Sequence, residues 1–334
     1  MPPSTMKYPL SILDLATVTE HQTIRESLDA TVVLAKRAEQ AGYNRVWYAE
    51  HHNMASIASS ATSVLIAHVA AQTDRIRLGA GGIMLPNHSP LTIAEQFGTL
   101  CELHVDRIDL GLGRAPGSDQ VTQRALRRDL MAADNFPQDV LELQGYLTGP
   151  SRVPGVEATP GKGTKVPLYI LGSSLFGASL AAALGLPFAF ASHFAPDALE
   201  QAVSLYRERF RPSEQLDRSY VIAGVNVVVA DTTARAETQL LYAQRHRVVR
   251  LLARGERVTD EQADALLDSR AGRQVLQMME YTAVGDPPAV RRYLDGFAEH
   301  ADANELIVTL MSPRLEHRLH SATVLAEVAE LSAA

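Results

Sequence analysis

Two adjacent histidines end an apolar run, Val46-Trp47-Tyr48-Ala49-Glu50-His51-His52-Asn53. On an extended strand, neighbours point to opposite sides, so His51 and His52 do not converge on one metal. No HExxH spacing and no second His/Asp/Glu cluster supports a metal site either. A strand-end histidine is a structural hydrogen-bonder or an acid/base group with a pKa near neutrality, and its place at the end of a strand favours the second role. A second such histidine, His193, closes the run Ala191-Ser192-His193-Phe194. Glycines interrupt another run, Ile76 to Pro86, at Gly79, Gly81 and Gly82. They mark a bulge or a close backbone approach, and a flat ring lying there needs the side chains removed. The stretch Asp109-Leu110-Gly111-Leu112-Gly113-Arg114 sets a guanidinium beside exposed amides, which suits a phosphate. Its glycines do not form GxGxxG, because the third is displaced. Leu168–Leu171 leads into Gly172-Ser173-Ser174 and a helix. Either serine is a plain N-cap or part of a phosphate site at a helix N-terminus.

These groups need elements to carry them. Eight apolar runs read as strands: Leu10–Leu15, Arg45–Glu50, Ile76–Met84, Arg107–Leu112, Leu168–Leu171, Phe188–Ser192, Val221–Val229 and Glu305–Met311. Runs apolar on both faces indicate parallel strands covered by helices. Helical patterns fall at Thr23–Ala41, Ser56–Gln72, Leu91–His104, Ala178–Leu184, Ala198–Phe210, Pro288–His300 and Leu315–Leu331. Eight strands each followed by a helix give an α/β fold, the (β/α)8 TIM barrel, over a single domain spanning 1–334. A doubly wound open sheet is the alternative, but the first strand–helix turn, Ala16–Thr23, has no glycine. The barrel has insertions after strands 4 and 7, Ala115–Val166 (loop-rich) and Asp231–Gly285 (extra helices). Both lie on the C-terminal face and are candidate lids. Arg114 and Ser174 meet on one phosphate only if strands four and five are neighbours.

Composition narrows the possibilities. The 334 residues carry 31 Lys plus Arg against 38 Asp plus Glu, a net charge of −7, which argues against a general nucleic-acid binder. One cysteine excludes an internal disulfide framework; Cys101 reads as a buried small hydrophobe. The N-terminal residues do not resemble a secretory signal. Val166–Pro196 carries no Asp, Glu, Lys or Arg, but Gly172, Gly177, Gly185 and Pro187 cut it too short to span a membrane. A cytoplasmic location follows. Ser56–Gln72 is uncharged, which suggests burial on two sides at a two-fold dimer interface.

Taken in order, WYAEHH at Trp47–His52, IRLGAGGIMLP at Ile76–Pro86, PLTIAE at Pro90–Glu95, RIDLGLGR at Arg107–Arg114 and PLYILGSS at Pro167–Ser174 are familiar. The chain resembles the bacterial luciferase-like flavin monooxygenases, from about Leu10 to the C-terminal helix. That resemblance implies a (β/α)8 barrel binding reduced FMN, supplied by a separate NAD(P)H-dependent flavin reductase. It implies that O2 adds at flavin C4a to form a peroxyflavin, which oxidises a small organic substrate. It implies homodimers built on the helices after strands two and three. By the same resemblance His51 is the catalytic histidine, Gly81–Gly82 a non-proline cis peptide against the flavin ring, and Arg114 with Ser174 the phosphate ligands. The sequence departs from true luciferases at Gly113, where they carry a reactive cysteine. Ser173 stands in place of a glutamate, and Ser192 falls near the place of a tryptophan, with His193 following. These departures speak against a long-chain aldehyde substrate and light emission. An F420-dependent hydride-transfer enzyme is the alternative, supported by Arg124, Arg127 and Arg128. A flavin-binding protein without turnover, or an unrelated barrel hydrolase or lyase, are further readings.

Overall fold

The computed structural model describes residues 6, 8–19, 22–115, 119–127, 131–253 and 258–332. Arg128 lies outside them. Nine strands form in chain order: β1 (Leu10–Asp14), β2 (Arg45–Tyr48), β3 (Arg77–Met84), β4 (Ile108–Gly113), β5 (Leu168–Gly172), β6 (Phe188–Phe190), β7 (Val221–Val229), β8 (Thr282–Gly285) and β9 (Glu305–Leu310). The helices are α1 (Ile24–Ala41), α2 (Thr62–Ala70), α3 (Pro90–Leu103), α4 (Gln120–Ala125), α5 (Phe136–Thr148), α6 (Leu175–Leu184), α7 (Leu199–Arg209), α8 (Thr233–Leu252), α9 (Asp260–Asp268), α10 (Arg270–Gln277), α11 (Pro287–His300) and α12 (Leu315–Val328).

All strand pairs are parallel, and the ring closes through β6–β7 and β9–β1. Its eight strands are β1 to β7 and β9, the eight expected from the apolar runs, so the chain is a TIM barrel. The difference lies in β8. Residues 231–285 contain α8, α9 and α10, but they end in a ninth strand that pairs with the C-terminal part of β7, Asn226–Val229. β6 reaches only Ala223 of β7, so the upper edge of β7 is free to take this partner. The first insertion is not only loop: it holds α4 and α5.

Local chemistry explains the elements. Every residue of β7 is buried, as a run of Val and Ile covered on both faces must be. α1 starts on a capping box, with Thr23 and Glu26 bonding each other's backbone N–H, and stops at Gly42 in the left-handed region, φ 84°. α2 is shorter than its composition suggests. Residues 56–61 are small and would suit a helix, but their backbone is engaged elsewhere: Ala58 N–H donates to Ala16, Val18 N–H to Ser56, and His51 N–H to Ser59.

The barrel interior is filled in layers. Trp47, Tyr169, Leu13, Ile222, Ile307 and Ala189 form its apolar middle, with Trp47 edge-on to Tyr169 at 4.9 Å. Below them lies a floor of charges that the sequence did not announce as a group. Arg45 donates to Glu305 (Nε–Oε1 2.9 Å, Nη2–Oε2 3.1 Å), to Asp109 (2.7 Å) and to the Tyr169 hydroxyl (2.7 Å). Arg77 and the Trp47 indole N–H also bond Asp109. Tyr220 and Ser11 complete Glu305. Two guanidiniums meet two carboxylates, so the floor is charge-balanced and hydrogen-bonded, the condition for burying ions.

Candidate active site

The ends of β2 and β3 are tied together by Glu50. Its carboxylate is 1 % exposed and accepts from Met84 N–H (2.9 Å), Asn87 Nδ2 (3.2 Å), His52 Nε2 (2.8 Å) and His88 Nε2 (3.0 Å). Burial alone would raise its pKa; the hydrogen bonds from His88, His52 and Met84 overcome that and hold it below its ordinary value. Glu50 and His88 are neighbours that sequence spacing does not reveal, because 38 positions separate them.

His52 turns to Glu50, whereas His51, also beyond the end of β2, makes no bond to it. Its Nδ1 is buried without a partner. Burial, the Arg250 guanidinium and His52 together push its pKa down to about 4, against the pull of Glu50. His193, after β6, is close enough to feel His51. Burial, Arg247 and His51 push it down to about 3, and its Nδ1 is also buried and unpartnered. Both imidazoles are therefore neutral at pH 7. His193 is seated by β7: its carbonyl accepts from Asn226 Nδ2 at 2.8 Å. A Cβ on Gly224 would come within 2.3 Å of its Nδ1, so glycine is what lets the ring lie there.

The Gly81–Gly82 peptide is cis, and the Gly82 carbonyl accepts from Glu50 N–H at 3.2 Å. These glycines mark the bulge and the close backbone approach expected of them: the register of β3 on β4 shifts between Ala80 and Ile83. A Cβ on Gly81 would meet Leu13 and Trp47 at 2.9 Å, and one on Gly82 the Gly111 carbonyl oxygen at 2.8 Å. In the direction of a side chain the space is filled by the barrel itself, so close strand packing already demands glycine.

Across the mouth, β4 and β5 are neighbours, with Gly113 opposite Leu171. The condition for Arg114 and Ser174 to share a ligand is met. Arg114 is exposed, its guanidinium 4.2 Å from the ring centre of Phe176 in the first turn of α6. Ser173 and Ser174 are exposed too. Ser174 occupies the N-cap of α6 with extended backbone, yet its side chain makes no capping bond. Gly172 precedes it at the end of β5. The first amides of α6 are thus left uncapped beside an exposed cation, and that combination fits a phosphate.

Arg247 and Arg250, both on α8, were missed by sequence reasoning. They line a cavity of about 120 Å³ with Asp14, His193, Asn226 and Arg318, between α8 and the ends of β1, β7 and β9. Their spacing of three on a helix was legible, but α8 carries so many charges that the inward pair looks like a solvated face. Among the described residues, no helix is long and apolar enough to cross a membrane.

A family model described as luciferase-like monooxygenase matches residues 8–303. A luciferase-like monooxygenase of Escherichia coli (strain K12) is 47 % identical over 325 residues, covering 96 % of each chain. An N-acetyl-S-alkylcysteine monooxygenase of Bacillus subtilis (strain 168) is 35 % identical, covering 78 % of this chain and 79 % of its own. Among solved structures, apo-MsnO8 superposes with a TM-score of 0.87 at 36 % identity, covering 97 % of this chain and 98 % of that one. More distant structures share the fold at 17 % and 15 % identity; they include a 3,6-diketocamphane monooxygenase in complex with FMN and an F420-dependent secondary alcohol dehydrogenase. The closed barrel and the near-complete family match carry one conclusion: the chain belongs to the luciferase-like monooxygenase family.

Proposed function

We propose that this protein binds reduced FMN across the barrel mouth and uses it with O2 to oxidise a small organic substrate. The observation that carries the choice of site is the pairing of Arg114 with the uncapped α6 N-terminus on adjacent strands, facing two neutral histidines. Arg114, Ser173 and Ser174 hold the phosphate, with Gly113 and Gly172 keeping the approach clear. Gly81 and Gly82 would offer the ring a stretch of backbone without side chains. Reduced flavin, when bound, supplies the electrons that activate O2. His51, neutral and within reach of His193, holds or takes a proton at the reacting end; a base with depressed pKa stays unprotonated throughout the neutral range. His193, also neutral, gives a second acceptor without adding charge. Solvent must be kept from this chemistry, and we assign that task to α8, which lines the cavity beside His193. The flavin arrives reduced from a separate NAD(P)H-dependent reductase. The protein works in the cytoplasm as a homodimer joined through α2 and α3, where Val64 and Leu103 are exposed. An organic sulfide is the first substrate to offer, by likeness to the N-acetyl-S-alkylcysteine monooxygenase.

F420 is the second reading, because Arg124 and Arg127 after β4 are exposed cations able to meet an acidic tail. Anaerobic titration with reduced FMN and with reduced F420, followed by air, separates the two. Tight binding of reduced FMN, O2 consumption on aeration and weakening by about tenfold or more in Arg114→Ala are expected, the size of one charge-assisted phosphate contact. Preference for F420 without O2 consumption would refute the proposal.

A further inference from the structure

Arg247 and Arg250 sit in a place where arginines are rarely left alone. Both side chains are half-buried, and guanidiniums drawn out of water are seldom left unpaired. Among the described residues, neither makes an ion pair or hydrogen bond, and the Nε of each is buried without a partner. Burial lowers the pKa of Arg247 to about 10, with Arg250 adding to it, and burial lowers Arg250 as well; no carboxylate counters either shift. The acid of the cavity, Asp14, is already engaged: it accepts Ala16 N–H at 3.0 Å and feels the Arg318 guanidinium. His193 and His51, the groups next to the two arginines, are neutral. The cavity therefore holds three guanidiniums against one carboxylate, and two of the three, three residues apart on α8, have no ion-pair partner among the described residues.

The cofactor phosphate is not the missing anion. In the eight-strand ring, the seam between β4 and β5, where Arg114 and the α6 N-terminus stand, lies diametrically across from the seam between β9 and β1, where this cavity opens. One phosphate does not reach both. The volume, about 120 Å³, approaches that of an engineered cavity of about 150 Å³ that admits benzene, so it takes a small organic group and not a flavin ring.

We infer that the substrate carries a carboxylate or sulfonate, which Arg247 and Arg250 of α8 bind so that its oxidisable part faces His51 and His193. This rests on the flavin reading for what happens next to the histidines, but the anion site is testable without flavin. Planar guanidinium forks match both oxyanions in a bidentate fashion, so two of them select an anion over a neutral analogue of the same shape.

The test is calorimetric titration of the full chain with methanesulfonate and with dimethyl sulfone, its neutral near-isostere, at low salt. Saturable binding of methanesulfonate that weakens with added salt, and none of the sulfone, is expected. Arg247→Gln/Arg250→Gln should lose about tenfold or more in methanesulfonate affinity, while the lysine pair, which keeps both charges but loses the forks, should bind more weakly than the wild type and more tightly than the glutamine pair. Reduced FMN should bind the glutamine pair as it binds the wild type. Equal binding of both probes, or no saturable binding of methanesulfonate to the wild type, overturns the inference. So does a glutamine pair that loses FMN but keeps methanesulfonate, since the arginines would then serve the cofactor. If the glutamine pair does not fold, the probe comparison on the wild type and the lysine pair decide. A wild type that binds methanesulfonate but no flavin would sink the proposed function and leave the anion site standing.

Discussion

Neutralising a buried histidine has a thermodynamic signature that acid reveals. His51 has its ring Nδ1 buried and unpartnered, and burial with the nearby Arg250 brings its pKa down to about 4 in the folded chain. Unfolded, it returns to about 6.5. Between these values the unfolded chain binds a proton that the folded chain refuses. Stability therefore rises with pH through this window and is lost on acidification. The full gap is worth ~3 kcal/mol, and the part lost between pH 7 and about pH 4.5 is ~2 kcal/mol. His193 acts in the same direction, with a folded value of about 3. Domains of ordinary stability hold about 5–15 kcal/mol, so the pair should make the protein conspicuously acid-labile. The assay is urea unfolding at both pH values for the wild type and His51→Gln. Comparing the change with pH within each protein cancels whatever packing the substitution itself disturbs. His51→Gln should lose ~2 kcal/mol less than the wild type on acidification. Equal losses would show that His51 is not held neutral. A wild type relatively stabilised by acid would show that it is protonated against Glu50, and its role as a proton acceptor would fall with it.

Other perturbations probe the parts that hold this site. Arg45→Ala strips the cation from between Glu305 and Asp109, both with fully buried side chains, and should cost about 3–5 kcal/mol in chemical denaturation; a loss under about 1 kcal/mol would mean the floor is open to water. Gly98→Ala places a Cβ 2.3 Å from the Gly161 Cα, backbone that must shift, and should lower stability by about 1–3 kcal/mol, read as a drop in Tm. Gly224→Ala drives a methyl into the His193 ring; flavin-dependent turnover should fall on the order of a hundredfold, as a misplaced reacting group does, and unchanged turnover would remove His193 from the site.

What the sequence discloses depends on whether the cause is local. The barrel strands are legible because each must be apolar on both faces, a property of its own residues. β8 is not, since Thr282–Gly285 is four residues long and only half buried in alternation. It is a strand because β6 stops short along β7, a fact about another element. The start of α2 is hidden for the same reason: residues 56–61 have helical composition, and it is hydrogen bonds to Ala16 and to His51 that fix them otherwise. At the site, the strand-end histidines and the Gly113–Arg114 turn could be picked out by position, whereas Glu50 acquires its role only when β3 brings Met84, Asn87 and His88 to it.

The two ends of the barrel use the same side chains to opposite ends. At the floor, Arg45 and Arg77 meet Asp109 and Glu305 with every carboxylate hydrogen-bonded. Removing any member strands a buried charge, which is how such a network resists change while contributing little net energy when intact. At the mouth, arginines of the same kind have no counter-ion among the described residues, and two histidines are held neutral with unpartnered ring nitrogens. That arrangement destabilises the empty protein by the desolvation of each group. A ligand that satisfies those groups regains that energy on binding, so the mouth converts folding stability into affinity and the floor does not. In a (β/α)8 barrel this asymmetry should follow the strand direction: charges at strand starts are closed into pairs, whereas beyond the strand ends some, such as Glu50, are closed and others, the two arginines of α8, have no counter-ion among the described residues. Arg45 begins β2 and His51 lies just beyond its end, six residues apart, and the two residues stand on either side of that division.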